Sequence, residues 1–308
     1  TSTRIGDAVL STGLLSHLLA IYPTGRITVA CGPLVVSLFE AVPRLDRIIA
    51  LKKQSWNRHW LKLWSEVVAT KWDVVVDLRN SAVSRLIIAD KRYIYGPHIR
   101  QKQHKVLQNA AVMGCLTPPI PCLFVTSEQE AKAKGIITDG SPVLAIGPTA
   151  NWIGKTWPVE NFIALLPMLM GDGGCFHGWR VAVFAAPNEE HIAQQVYNTL
   201  SENIRIDVIA KGNPAEAAAC LVRCQFYIGN DSGLMHCAAA AGIPTLGLFG
   251  PTNDVMYGPY GKNSALVRTP QSLQDFIGAP DFNAKTLDHS LMSGLSVDCV
   301  YSAVQELV

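Results

Sequence analysis

Short runs of apolar, β-forming residues alternate with helix-period segments along almost the whole chain, and that alternation admits few architectures. Ile27–Ala30, Arg47–Leu51 and Asp73–Asp77 read as strands, and Asp7–Ala20, Leu34–Ala41, Asn57–Thr70 and Asn80–Ala89 as helices around them. The pattern breaks at Thr117-Pro118-Pro119-Ile120-Pro121, passes a helix near Ser127–Gly135, and restarts. Val143–Gly147, Val181–Phe184, Ile206–Ile209, Phe226–Ile228 and Thr245–Phe249 are then strands. Helices are expected over Val159–Met170, Glu189–Leu200, Pro214–Val222, from Ser232 onward and over Val297–Leu307. Strands that are apolar at nearly every position belong to a parallel sheet covered on both faces.

Two such α/β units suit the length of 308 residues. We expect a seam within residues 117–142, dividing 1–125 from 126–308, with the last helix a candidate to pack back on the first domain. Thr1-Ser2-Thr3 reads as the end of a strand, so apolar residues upstream of it are expected.

A hydrophobic fraction of 49% with 16% charged residues argues against disorder. No apolar run is long enough to span a bilayer, and the start has no signal-peptide pattern. The eight cysteines contain no Cys-x-x-Cys pair, so free, mostly buried thiols in a reducing cytoplasm are expected. Charge is uneven. Residues 1–125 carry 16 Lys and Arg against 7 Asp and Glu, and residues 126–308 carry 10 against 17. The basic half is either an ordinary solvated face or the side that meets an anionic partner.

Four strand-to-helix turns carry chemistry, because ligands of open α/β sheets bind beyond the carboxyl ends of the strands. Arg4-Ile5-Gly6-Asp7 precedes the first helix, where Asp7 is either a helix-start acid or a general base. The loop from Gly147 to Glu160 holds Thr149, Asn151, Trp152 and Lys155; its spacing is not that of a Walker loop, but Lys155 suits phosphate oxygens as a point charge. Glu189 and Glu190 follow the Val181 strand and serve either as caps or as a ribose contact. Gly229-Asn230-Asp231-Ser232-Gly233 enters a helix whose freed amides would face an anion, with His236 one turn on. Gly250-Pro251-Thr252 is aimed at the same crevice. No Gly-x-Gly-x-x-Gly follows a strand, which argues against a dehydrogenase.

Gly-Asp before the first helix, Lys-x-Trp-Pro-x-Glu, Asn-Asp-Ser-Gly-Leu-x-His and Phe-Gly-Pro-Thr, in that order, resemble the ADP-heptose:lipopolysaccharide heptosyltransferases of glycosyltransferase family 9. The resemblance covers nearly the whole chain and is most specific from Asp231 to Thr252. It implies a GT-B fold of two Rossmann-like domains facing a central cleft. It further implies inverting, metal-independent transfer of a heptose or related sugar from an ADP-sugar, with no cofactor, to a lipopolysaccharide or lipooligosaccharide core acceptor.

Carried over by residue, Asp7 matches the base and Lys155 the donor-phosphate lysine. Asp231, Ser232, Gly233 and His236 match the donor segment, and Glu189 or Glu190 the ribose acid. Thr149 and Asn151 are donor candidates in a loop that departs from the family pattern, and Trp152 there bears on donor preference. In such enzymes the first domain takes the acceptor. Arg4, Lys52, Lys53, Arg58 and Lys62, with Trp56, Trp60, Trp64 and the Lys91 to Lys105 stretch, are therefore candidate contacts for a phosphorylated acceptor. A cytoplasmic protein, peripheral at the inner face of the inner membrane and without a nucleic-acid partner, is the matching expectation. A transferase for another nucleotide sugar and a catalytically silent nucleotide-binding relative are the alternatives.

Overall fold

The computed structural model describes residues 2–99, 102–272, 274–275 and 286–308. The chain forms two compact units, Thr1–Thr126 and Ser127–Val308.

The first unit opens with α1 (Ile5–Ile21) and continues through β1 (Ile27–Cys31), β2 (Leu45–Ala50), α2 (Arg58–Val67), β3 (Trp72–Asp77), α3 (Val83–Leu86), β4 (Ala89–Ile94) and α4 (Lys105–Met113). β1 pairs with β2, and β3 with β4, each in parallel. α1 packs on α4. The buried Asn109 amide of α4 donates to the Leu10 carbonyl, and Thr12 Oγ1 accepts from the Cys122 amide, so this long helix is tied at two levels. Ser2 lies outside any strand, yet its carbonyl accepts from Gly32 N at 3.0 Å just beyond β1. Thr1, part of the expected strand end, lies outside the described residues, as do residues 100 and 101 of the Lys91 to Lys105 stretch.

Two expected helices of this unit are corrected. Residues Pro33–Phe39 form a 3-10 helix instead of an α-helix. The helix expected over Asn80–Ala89 shrinks to the single turn α3, and Ala89 begins β4. The Asp77 carboxylate explains the loss: it accepts the amides of Arg79 and Ser81 and the Ser81 hydroxyl, wrapping residues 78–81 into a turn with Asn80 in the left-handed region.

The second unit contains α5 (Ser127–Ile136), β5 (Val143–Gly147), α6 (Val159–Met170), β6 (Arg180–Ala185), α7 (Glu190–Thr199), β7 (Arg205–Ile209), α8 (Pro214–Val222), β8 (Phe226–Asn230), α9 (Gly233–Ala241), β9 (Thr245–Phe249), α10 (Asp254–Tyr257), β10 (Ser264–Arg268) and α11 (Val297–Leu307). Its six strands among the described residues are all parallel, in the order β7-β6-β5-β8-β9-β10. β5, β8 and β9 are buried at every position, which their continuous apolar sequences demand. α6 lays Phe162, Leu165 and Leu169 on Leu144, Ile146, Val181 and Val183. α11 packs on α6, β9 and β10 of its own unit through the buried Val300 and Val304.

The strand order reverses direction between β5 and β8, where the chain leaves β5 toward one edge and returns to the other side at β8. Such a switch point leaves a crevice between the loops that follow the two strands. In this register Gly147 stands opposite Gly229. The two glycines lie side by side near the ends of adjacent strands, against the buried ring of Tyr227. A Cβ at Gly147 would lie 2.1 Å from the Tyr227 hydroxyl and one at Gly229 2.4 Å from it, so no side chain fits either position without moving that ring.

Candidate active site

The switch point brings together residues from three loops. Lys155 ends a short 3-10 turn (Ile153–Lys155) in the loop after β5. Its ammonium lies 3.5 Å from Asp231 Oδ2, and both side chains are largely buried. Asp231 Oδ1 lies 4.0 Å from His236 Nε2, one turn into α9. The carboxylate therefore bridges the lysine and the imidazole at the lip of the crevice. Asp231 is itself fixed by its amide, which donates to the Leu248 carbonyl of β9.

Ser232 caps α9. Its backbone is extended, and its Oγ accepts from Met235 N at 3.4 Å. That uses one amide of the first turn, while the amides of Ser232, Gly233 and Leu234 have no acceptor recorded among the described residues. Partial positive charge at a helix start aimed into a crevice suits an oxyanion.

Unsatisfied polar atoms mark the same place. Thr149 Oγ1 follows β5, Asn230 Nδ2 ends β8 and Thr252 Oγ1 follows β9; all three atoms are buried and, among the described residues, without a hydrogen-bond partner. Three neighbouring strands thus each deliver one such atom at their carboxyl ends. Leaving a buried polar atom unpaired costs about 1–3 kcal/mol, so three together are tolerable where a polar ligand supplies the partners. The other end of the Asn230 amide is occupied: Oδ1 accepts from Trp157 N at 2.9 Å, and the Trp157 indole in turn donates to the Leu295 carbonyl. This couples the loop after β5 rigidly to the end of β8. Burial pushes the Tyr227 phenol above its ordinary value, with the Ser232 side chain pulling the other way, so it stays a neutral hydroxyl beneath the crevice.

The β9 loop is braced by Arg268 at the end of β10, which pairs with Asp254 and donates to the Gly250 carbonyl. The loop after β6 separates two acids that the sequence leaves equivalent. Glu190 accepts from Asn188 N at 3.0 Å; its own amide and that of Asn188 hold its carboxyl below the usual range. Glu189 is half-buried and makes no side-chain cap. Asn151 is exposed on the rim of the β5 loop.

In the first unit Asp7 lies in the opening turn of α1 and accepts from Ser2 Oγ at 3.2 Å through Oδ2. The Ser2 hydroxyl also accepts from Arg4 N, and the Arg4 side chain is exposed. Lys105, the first residue of α4, donates to Gln108 Oε1 at 3.2 Å and sits 4.9 Å above the Tyr95 ring. Desolvation lowers its pKa; Asp7 acts in the opposite sense, and the positive charge of Arg79 adds to the lowering. The sequence places Lys105 only within a general basic stretch. Its place beside Asp7 depends on the fold bringing α4 to α1. Lys52, Lys53, Arg58 and Lys62 are all exposed, on the approach to α2 and on the helix itself.

Asn230 and Thr252 are the site residues that motif reading passes over. Each stands inside a recognised loop, but only the three-dimensional burial of one polar atom on each distinguishes it from its neighbours.

Comparison with known proteins adds to this geometry. Residues 89–281 match the model of glycosyltransferase family 9 (heptosyltransferase). The lipooligosaccharide heptosyltransferase 2 of Haemophilus influenzae is 30% identical, with 86% of each chain covered. The lipopolysaccharide heptosyltransferase 3 of Escherichia coli is 24% identical, with 84% of each covered. Among solved structures, a family 9 glycosyl transferase from Veillonella parvula superposes with a TM-score of 0.78 at 22% identity, covering 100% of this chain and 95% of that one. The E. coli heptosyltransferase WaaC with ADP gives 0.72 at 18% identity, covering 100% and 98%. These likenesses establish the α/β GT-B fold of two Rossmann-like units.

Proposed function

The chain belongs to glycosyltransferase family 9, and from that premise we propose that it transfers a heptose from ADP-heptose to a lipopolysaccharide or lipooligosaccharide core acceptor, with inversion at the anomeric carbon and without a metal ion. The observation that carries the donor half is the crevice at the β5/β8 switch point. Lys155, the first amides of α9 and three polar atoms unpartnered among the described residues converge there. That set fits a diphosphate better than any neutral ligand. Relatives named as lipopolysaccharide and lipooligosaccharide heptosyltransferases supply the sugar and the acceptor class.

In this reading Asp7 takes the proton from an acceptor hydroxyl as the oxygen attacks the anomeric carbon. The bond from that carbon to the diphosphate oxygen breaks, and the departing ADP gains negative charge. Lys155 and the amides of Ser232 and Gly233 stabilise the charge where it develops. Ser2 fixes one carboxylate oxygen of Asp7 and leaves the other for the acceptor. Asp231 holds Lys155 in place until the diphosphate competes for it, and His236 stands on the other side of the same carboxylate. Thr149 and Asn151 line the donor loop. Glu189 is the better ribose contact, because Glu190 is engaged with the turn at Asn188. The exposed cations Arg4, Lys52, Lys53, Arg58 and Lys62 are offered to an anionic acceptor.

The test is incubation of the full chain with ADP-heptose and a heptose-deficient lipopolysaccharide, read by mass spectrometry. A mass increase of one heptose that depends on Asp7 supports the reading. Transfer from a different nucleotide sugar alone would replace the donor, and nucleotide binding without any transfer would favour a catalytically silent relative. Asp7→Asn is expected to abolish turnover while ADP affinity stays unchanged.

A further inference from the structure

The residues from Leu287 to Leu295 form neither helix nor strand, yet they lie against the loop that bears Lys155. Three buried side chains anchor them: Leu291, Met292 and Leu295. Met292 and Leu295 join the core that holds Ile146 of β5 and Ile228 of β8. Met292 also fills the space beside Gly250, where a Cβ would lie 2.6 Å from its Cγ. The segment therefore spans the loops that follow β5 and β9, two of the three that meet at the donor crevice.

Its polar contacts fall on the turn of Lys155 itself. Leu291 N donates to the Gly154 carbonyl at 3.1 Å, and Ser290 Oγ donates to the Thr156 carbonyl at 2.6 Å. These two carbonyls flank Lys155 in sequence. The Ser290 hydroxyl also accepts from Met292 N at 2.9 Å, so both of its roles are used and its orientation is fixed. Gly154 is gripped from two further sides. A Cβ there would lie 2.6 Å from the Trp152 ring and 2.8 Å from Leu287 Cδ2, so no side chain fits between them.

Such bracing answers a local weakness. A three-residue 3-10 turn has few internal hydrogen bonds of poor geometry, and its last carbonyls need donors from elsewhere. Lysine adds a flexible four-carbon stem. Its contact with Asp231, at 3.5 Å, is at the limit of hydrogen-bond length and fixes the ammonium only loosely. The position of the charge is then set by the backbone beneath it, and that backbone is held from the 290s.

We propose that Ser290 is a positioning residue for Lys155. Its bond to Thr156, together with that of Leu291 N to Gly154, holds the turn so that the ammonium meets the donor's diphosphate already in place. The inference rests on the reading of Lys155 as the diphosphate contact and adds the element that sets the position of that lysine.

The experiment is a double-mutant cycle on the full chain, with ADP affinity measured by calorimetry. Ser290→Ala should weaken ADP by about threefold to tenfold, the worth of one hydrogen bond. Ser290→Thr keeps the hydroxyl and should restore most of the affinity. In a Lys155→Met background Ser290→Ala should cost nothing more, because the group it positions is gone. Adenosine has no phosphate for the lysine and should bind the native chain and Ser290→Ala alike. A general loss of structure would instead weaken adenosine too and would add in full to Lys155→Met; either result overturns the positioning role. Weakened ADP in Lys155→Met beside unchanged ADP in Ser290→Ala overturns it as well and leaves the donor reading intact. Unchanged ADP affinity in Lys155→Met would overturn the donor reading itself, and this inference with it.

Discussion

At the scale of single residues, the contact between Lys155 and Asp231 is the most informative. A buried lysine beside a buried carboxylate is nearly neutral as a pair, and a diphosphate must take the lysine from its partner. Lys155→Met should therefore raise the dissociation constant for ADP by about tenfold to a hundredfold, the worth of one hydrogen bond to a charged group, as measured by calorimetry. Asp231→Asn should not weaken ADP in the same way, because it leaves the lysine uncompensated and still available. Equal losses in both variants would mean that the pair is only structural. The cysteines offer a second residue-level expectation. Burial pushes the thiols of Cys31 and Cys220 up to about 11 and that of Cys237 up to about 12, whereas Cys299 is exposed. Brief alkylation of the folded chain near pH 8 should mark Cys299 first and leave those three unmodified, as peptide mass mapping would show. Much of this was legible in advance: Lys155, Asp231 and His236 stand in named motifs, and the cysteine spacing spoke for free thiols. What was not legible is which polar atoms end up buried without a partner, since Thr149, Asn230 and Thr252 acquire that property from strands far apart in sequence. The exposure of Cys299 was equally hidden, because an amphipathic helix places a cysteine on either face.

At the scale of elements, α8 shows a complete local instruction. Asn213 accepts the amides of Ala215 and Glu216, Glu216 reaches back to Asn213 N, and Pro214 opens the first turn. The sequence marks this helix to the residue for that reason. Asn213→Ala should cost about 1 kcal/mol of stability in urea denaturation. Glu216 also meets Lys132 of α5 at 2.8 Å, and that lysine first, then the Asn213 amide, holds its carboxyl below the usual range. A depressed folded pKa contributes stability that is full above the unfolded value of about 4.3 and drains as pH falls through the folded one. Glu216→Gln should therefore flatten the acid limb of stability below about pH 4.5 while lowering stability at neutral pH. Some elements that were missed do carry such signals, as α4 does with its His104 cap and left-handed Gly114, but β4 and β10 lack them. β4 carries Asp90, Lys91 and Arg92 and is largely exposed, so its sequence has no apolar run, and β10 is a short edge strand. The lost helix over residues 80–89 has a comparable cause, a side chain that competes with helix hydrogen bonding: Asp77 captures the amides that a helix start would have left free.

At the scale of the molecule, the two units carry opposite charge. Residues 1–126 hold the excess of Lys and Arg and residues 127–308 the excess of Asp and Glu. The two binding steps should therefore respond differently to salt. Exposed cations act through solvent, where the screening length falls from about 10 Å at 0.1 M to about 3 Å at 1 M. The proposed donor crevice would work instead through a lysine whose side chain is only 15% exposed, through helix amides and through fixed polar atoms, and ions in bulk solvent screen these little. Raising sodium chloride from 50 to 500 mM should increase the KM for a phosphorylated acceptor several-fold, while the KM for the nucleotide sugar stays within about a factor of two. Initial rates with each substrate varied in turn give both values. An acceptor stripped of phosphate should lose most of its salt dependence, because the long-range part of its attraction has been removed. If both constants rose together, the basic surface of the first unit would have no separate part in acceptor capture, and the charge division would be a property of two solvated faces alone.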